Sequence, residues 1–110
     1  MVLEEILGKC KELPIQEKRF VSDEYQELVI SSKDLDKWYQ FFTDILGPAA
    51  KPEGAEPNKD DINLTQPYGG IFENQTLFKK EVDNTMVIAM FWPWQNRLNT
   101  TLKLVLLEKK

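Results

Sequence analysis

The sequence predicts one α+β domain over residues 1–110, with an N-terminal helix followed by a strand, a helix and three more strands. The expected sheet is four-stranded and mostly antiparallel, with the helices on one face. Apolar residues recur at helical spacing between residues 35 and 46, and β-favouring residues dominate from Tyr68 onward. At 110 residues, two separate cores would each be too small to be stable without disulfides or metals.

Composition excludes several classes of partner. The chain has 14 Lys and Arg against 18 Asp and Glu, a net charge of -4, which disfavours nucleic acid and anionic membrane surfaces. No apolar stretch approaches the roughly 20 residues that span a bilayer. The single cysteine cannot form an internal disulfide, and the N-terminus lacks the pattern of a signal peptide. We therefore predict a cytoplasmic protein.

The first predicted element is a short amphipathic helix. Leu3, Ile6, Leu7 and Cys10 fall at helical spacing until Pro14 ends the pattern. Because Cys10 shares this apolar stripe, we interpret it as a buried hydrophobic residue and not as a nucleophile.

A strand over residues 24–31 precedes the strongest helical pattern in the chain. Ser31 and Ser32 are candidate N-caps, and Gly47 followed by Pro48 predicts the end of the helix. The apolar positions of this helix are Leu35, Trp38, Tyr39, Phe42, Ile45 and Leu46.

Residues 48–67 contain four of the six prolines and almost no large apolar residues. This composition predicts a long, proline-rich loop, which we expect to be mobile. Asp60, Asp61 and Asn63 lack the glycine and distal glutamate of a calcium loop, so a solvated acidic turn is the preferred interpretation.

The C-terminal third predicts three strands, near residues 70–79, 85–92 and 100–107. Asp83-Asn84 separates the first two, and residues 93–97 separate the second and third. Connections this short require antiparallel neighbours.

The middle strand is apolar on both faces. Val87, Ala89 and Phe91 alternate with Met86, Ile88, Met90 and Trp92. Two helices can cover one face of the sheet, and the polar loop is poorly suited to cover the other. We therefore expect a homodimer through the second face, with a bound apolar ligand as the alternative.

The chain lacks the residues of several common chemistries. It has no histidine, which excludes the usual catalytic triads and the typical zinc site. With one cysteine, any metal would need oxygen ligands only. Gly69-Gly70 is expected to open a strand and not a helix, so no phosphate loop is predicted.

Aromatic residues supply the candidate binding site. Pro93 lacks the N–H that a central strand needs, so the Trp92-Pro93-Trp94 segment should lie where the strand ends. Together with Trp38 and Tyr68, Trp92 and Trp94 could form an aromatic wall for a planar or sugar-like small molecule. The alternative is that they close the end of the core or pack in a dimer interface.

Residues 27–47 resemble a known module. The strand from Glu27 to Ser31 is followed by Asp34-Leu-Asp-Lys-Trp-Tyr-Gln-Phe-Phe-Thr-Asp-Ile-Leu-Gly47. This resembles the start of a vicinal oxygen chelate module of the glyoxalase and bleomycin-resistance family. The resemblance implies a βαβββ module, a divalent metal with its first ligand at Glu27, and pairing of two modules. The usual second ligand, a glutamate on the last strand, corresponds only to Glu108.

Two functions follow as expectations. The first is a non-enzymatic binding or protein-interaction module that acts as a homodimer and needs no cofactor. The alternative is a divergent vicinal oxygen chelate-like protein that binds a divalent metal through oxygen ligands, or a small molecule.

Overall fold

The computed structural model describes Gly8 and residues 13–22, 25–82 and 84–108. Within these residues, five strands form one antiparallel sheet in the order β1-β2-β5-β4-β3, accompanied by two α-helices. The strands are β1 Glu17–Val21, β2 Tyr25–Ser31, β3 Thr76–Val82, β4 Thr85–Pro93 and β5 Asn99–Glu108, and the helices are α1 Leu35–Leu46 and α2 Lys59–Thr65.

The prediction of a four-stranded sheet is wrong, because the described residues form five strands. The additional strand is β1, which pairs with β2 at the edge of the sheet. Its exposed residues include Glu17, Lys18 and Arg19, and its register shifts between Lys18 and Phe20. Charges and a bulge protect an edge strand from pairing with other chains, but they also remove the apolar alternation that predicts a strand.

The predicted N-terminal helix and Cys10 lie outside the described residues. The second described helix is instead α2, which lies inside the segment that was predicted to be a loop. Its N-cap is Asn58, whose side-chain oxygen accepts the Asp61 backbone N–H at 2.8 Å.

Helix α1 confirms the strongest sequence pattern. It is preceded by a 3₁₀ turn over Ser32–Asp34, so the N-cap is Asp34 and not Ser31 or Ser32. At the other end, the Gly47 N–H donates to the Thr43 carbonyl at 2.9 Å, with a φ of 85° that favours glycine.

The larger core lies between α1 and the first face of the sheet. Trp38 and Phe42 of α1 and Phe91 of β4 are fully buried. Tyr39 meets Phe91 edge-to-face at a centroid distance of 4.8 Å, within a group of aromatic rings that extends to Phe78. Strand residues of this core are Leu28, Ile30, Phe78, Val87, Ala89, Phe91, Leu102, Leu104 and Leu106.

A second core lies on the opposite face, so the prediction that the helices lie on one face is wrong. Leu64 of α2, Tyr68 and Ile71 pack against a sheet cluster that includes Ile88 and Met90, both fully buried. The chain therefore covers both faces of β4 by itself.

The segment over the second face is tied to the sheet by charge as well as by apolar contact. Lys79 of β3 donates to Asp61 of α2 at 2.7 Å, and the Asp61 side chain is only 3% exposed. The Lys79 side chain is 29% exposed, so the pair is buried on the α2 side only, and it joins α2 to β3. No described helix is long and apolar enough to cross a membrane.

Two predicted strand boundaries have different outcomes. Strand β3 begins at Thr76 and not near residue 70, because residues 66–68 form a 3₁₀ turn closed by the left-handed Gly69. Strand β4 ends at Pro93, as predicted from the missing N–H of proline.

Candidate binding site

The sheet separates the four predicted aromatic site residues. Trp38 is fully buried in the first core, where its indole N–H donates to the Pro14 carbonyl at 3.2 Å. Tyr68 and Trp92 belong to the second core. The Trp94 indole N–H donates to the Thr101 hydroxyl at 2.8 Å. Trp38 therefore does not share a surface with Tyr68 and Trp92.

Trp92 and Tyr68 meet around a half-buried lysine. The Lys103 ammonium lies 3.5 Å from the centroid of the Trp92 ring and donates to the Tyr68 carbonyl at 2.9 Å. Burial lowers the pKa of Lys103, and the carboxylate of Glu27 opposes that shift. The Trp92 indole N–H is buried without an acceptor among the described residues. The contacts of Lys103 thus join the turn around Gly69 to strands β4 and β5.

Glu27, the residue at which the family resemblance would place a metal ligand, belongs to the same cluster. It accepts a hydrogen bond from the Tyr25 hydroxyl at 2.9 Å, and Lys103 is its register partner on β5. No group of three or more carboxylates or thiols suited to a metal ion occurs among the residues that the structure describes. A carboxylate with an ammonium opposite it does not fit a divalent cation.

The contribution of the Tyr25 hydroxyl to the stability of the fold should depend on pH. Burial raises the pKa of Tyr25, and the hydrogen bond to Glu27 and its charge raise it further. The folded state thus favours the protonated phenol, so its stabilising contribution is complete below the ordinary value of about 10 and is lost above it. We expect the difference in unfolding free energy between wild type and Tyr25→Phe to shrink as the pH rises above about 10.

Urea unfolding of both proteins at pH 8, 10 and 11 measures this difference. The other titrating groups, including Tyr39 and Lys51, are present in both proteins and so largely cancel. A difference that stays constant or widens with pH would contradict the role assigned to Tyr25.

An open depression with exposed apolar side chains lies beside the same turn. A depression of about 780 Å³, the Phe72 groove, lies between α2 and the segment that leads to β3. Phe72 is 58% exposed and Ile62 is 45% exposed, and both line it. The other lining residues are Glu56, Pro57, Asn63, Gln66, Gly69, Gly70, Ile71 and Glu73.

A buried lysine holds Phe72 in place. Lys51 is only 1% exposed, and its ammonium donates to the carbonyls of Pro52, Glu73 and Gln75. The Gln75 side chain in turn accepts the Phe72 backbone N–H at 2.9 Å. Burial lowers the pKa of Lys51, and nearby carboxylates oppose that shift. The segment that presents Phe72 is therefore held by Lys51 at the Glu73 and Gln75 carbonyls and by the Gln75 side chain at the Phe72 N–H.

Sequence reasoning missed the residues that form this groove. Ile62 stands among polar residues of the predicted loop, and the strand predicted near residues 70–79 includes Phe72. Lys51 lies in the same predicted loop, and nothing in its local sequence indicates burial. The available signal for the segment that carries the groove was the spacing of Leu64 and Tyr68, which is too sparse to predict a face packed on the sheet.

Comparison with models of known protein families, with curated proteins and with solved structures found no match to this chain. The resemblance of residues 27–47 to the vicinal oxygen chelate module therefore stays a prediction, and no step of a mechanism is derived from it.

Proposed function

We propose that this chain is a non-enzymatic binding domain whose binding surface is the Phe72 groove. The observation that supports the proposal is the exposure of two large apolar side chains, Ile62 and Phe72, in one depression of about 780 Å³. Isolated apolar side chains on a surface need no explanation, but two that share a concave surface suit a partner that removes them from water.

The types and contacts of the polar residues also support a binding function over a catalytic one. The chain contains no histidine, the commonest general base. The titratable residues Tyr25, Glu27 and Lys103 form a cluster whose contacts are internal. Tyr25 donates to Glu27, and Lys103 contacts the Trp92 ring and the Tyr68 carbonyl. These residues stabilise the fold, and the Phe72 groove is the surface that we assign to the partner.

The homodimer stays a prediction. We expected it because the second face of β4 needed a cover, and that reason no longer applies. Ile88 and Met90, the residues that a second copy was expected to cover, are already buried by the chain itself. A second copy remains one possible occupant of the Phe72 groove. Light scattering of wild type and Phe72→Ser at micromolar concentration distinguishes this occupant, because only a groove-mediated dimer is lost in the variant.

Binding of an uncharged apolar dye tests the proposed surface. We expect Nile red to show enhanced fluorescence with the wild-type protein and most of that enhancement to disappear in Phe72→Ser, because the variant removes the main apolar wall of the groove. Phe72 is largely exposed, so the fold should survive its replacement.

Phe20→Ser is the matched control. Phe20 is 55% exposed, nearly the same fraction as Phe72, but it lies on β1 and contacts Tyr25. We expect this variant to keep the dye signal. Equal losses in Phe20→Ser and Phe72→Ser, or full retention in Phe72→Ser, would overturn the assignment of the groove as the binding surface.

A further inference from the structure

The Phe72 groove is one part of a longer surface. A neighbouring depression of about 500 Å³ shares Phe72 and Glu73 with it and adds Glu53, Gly54 and Asn74. A third depression, of about 340 Å³, shares Glu53 and Asn74 with the second and extends to Trp94. The three adjoin in one continuous track, which suits an extended chain better than a compact small molecule.

The central part of this track is acidic. The charged residues that line the Phe72 groove and the neighbouring depression are Glu53, Glu56 and Glu73. All three are exposed, and none forms an ion pair with another described residue. The one arginine that lines the track, Arg97, lies in the third depression, beyond the apolar centre. An apolar centre with an acidic rim is complementary to an apolar side chain flanked by cations.

The aromatic residue at the centre is also pre-organised. Lys51 holds the carbonyls of Glu73 and Gln75, and Gln75 holds the Phe72 backbone. A partner therefore need not order this segment on binding, which removes one of the usual entropic costs of association.

We propose that the track binds an extended peptide segment of a protein partner, in which a large apolar residue is flanked by lysine or arginine. This inference rests on the proposed function of the Phe72 groove. The apolar residue packs against Phe72 and Ile62, and the flanking cations face Glu53 and Glu73.

Fluorescence polarisation with three labelled ten-residue peptides tests the inference. The probe has a central tryptophan with two lysines on each side in a Gly/Ser background. One control peptide replaces the lysines by glutamate, and the other replaces the tryptophan by serine. We expect the probe to bind about tenfold more tightly than either control, with affinity that falls as the salt concentration rises.

Charge-neutralising variants locate the interaction. Glu53→Gln with Glu73→Gln should weaken probe binding by about threefold to tenfold, since exposed ion pairs contribute modestly and are screened by salt. Asp36→Asn with Asp44→Asn is the matched control, because both residues are exposed on α1 and the change in net charge is the same. We expect that control to bind the probe like wild type.

The outcomes separate this inference from the proposed function. If Nile red binds in a Phe72-dependent manner but the three peptides bind equally or not at all, the peptide inference fails and the binding surface stands. If Phe72→Ser affects neither dye nor peptide, both fail. If the two double variants weaken the probe equally, its binding reflects only net charge, and the inference is overturned.

Discussion

Replacing Lys51 by methionine is expected to lower the free energy of unfolding by about 3 kcal/mol, since each buried carbonyl left without a donor costs roughly 1–3 kcal/mol and water can reach some of them. The ammonium has three N–H donors, and Lys51 directs them to three carbonyls, those of Pro52, Glu73 and Gln75. Methionine fills a similar volume but donates nothing. The backbone of Lys51 also pairs with Leu77 of β3 as an isolated β-bridge, and the substitution keeps both of these backbone hydrogen bonds available.

Urea unfolding of Lys51→Met beside Lys80→Met measures the effect. Lys80 is an exposed lysine of β3, so its replacement should change the unfolding free energy by no more than about 0.5 kcal/mol. Lys51→Met should also weaken Nile red binding at a temperature where it is still folded, because the Phe72 segment loses its clamp. A Lys51→Met protein as stable as Lys80→Met would show that the buried ammonium does not hold this segment.

The second large effect is expected at Gly69. Its φ is +100°, a conformation that L side chains rarely adopt, and a Cβ there would overlap the Trp92 ring and lie 3.3 Å from the Lys103 ammonium. Backbone strain and overpacking each cost roughly 1–3 kcal/mol, so Gly69→Ala should lower the unfolding free energy by about 3 kcal/mol. The close packing of this turn on Trp92 is what seals the second core.

Gly54→Ala separates the two contributions. Gly54 also has a positive φ, +88°, but a Cβ there would meet nothing within 4 Å. Its replacement should therefore cost only the backbone strain, about 1 kcal/mol. In addition, Trp92→Phe should partly relieve Gly69→Ala, giving a double variant more stable than the sum of the two single changes predicts. Equal losses for Gly69→Ala and Gly54→Ala would contradict the packing of Trp92 against this turn.

Local pattern was enough to predict α1 and the ends of β4. The apolar positions of α1 repeat within a few residues of each other, and Pro93 cannot continue a central strand, so neither feature depends on distant parts of the chain. The burial of both Val87 and Ile88 could also be predicted locally. Neighbouring residues of a strand lie on opposite faces, so two adjacent apolar residues indicate that both faces are covered.

The candidate site was predicted only in part. Tyr68 and Trp92 do come together, but Trp38 lies across the sheet, and the surface now proposed depends on Ile62, Phe72 and Lys51. The orientation of an aromatic side chain relative to a sheet follows from the register of the strands, and register is a long-range property. Composition alone could not distinguish a wall of tryptophans from tryptophans on two separate faces.

Composition and residue pattern alone establish the α+β class, the apolar character of both faces of β4 and the lack of histidine-based chemistry. The covering of the second face, in contrast, is visible only in the folded chain. Leu64, Tyr68 and Ile71 are too few and too widely spaced to predict a covering segment. In the folded chain they pack on the second core, and the Asp61–Lys79 pair and the Lys103 contact join the same segment to the sheet. The stabilisation from burying these residues depends on the surface they meet, which β3, β4 and β5 form together once the sheet is assembled.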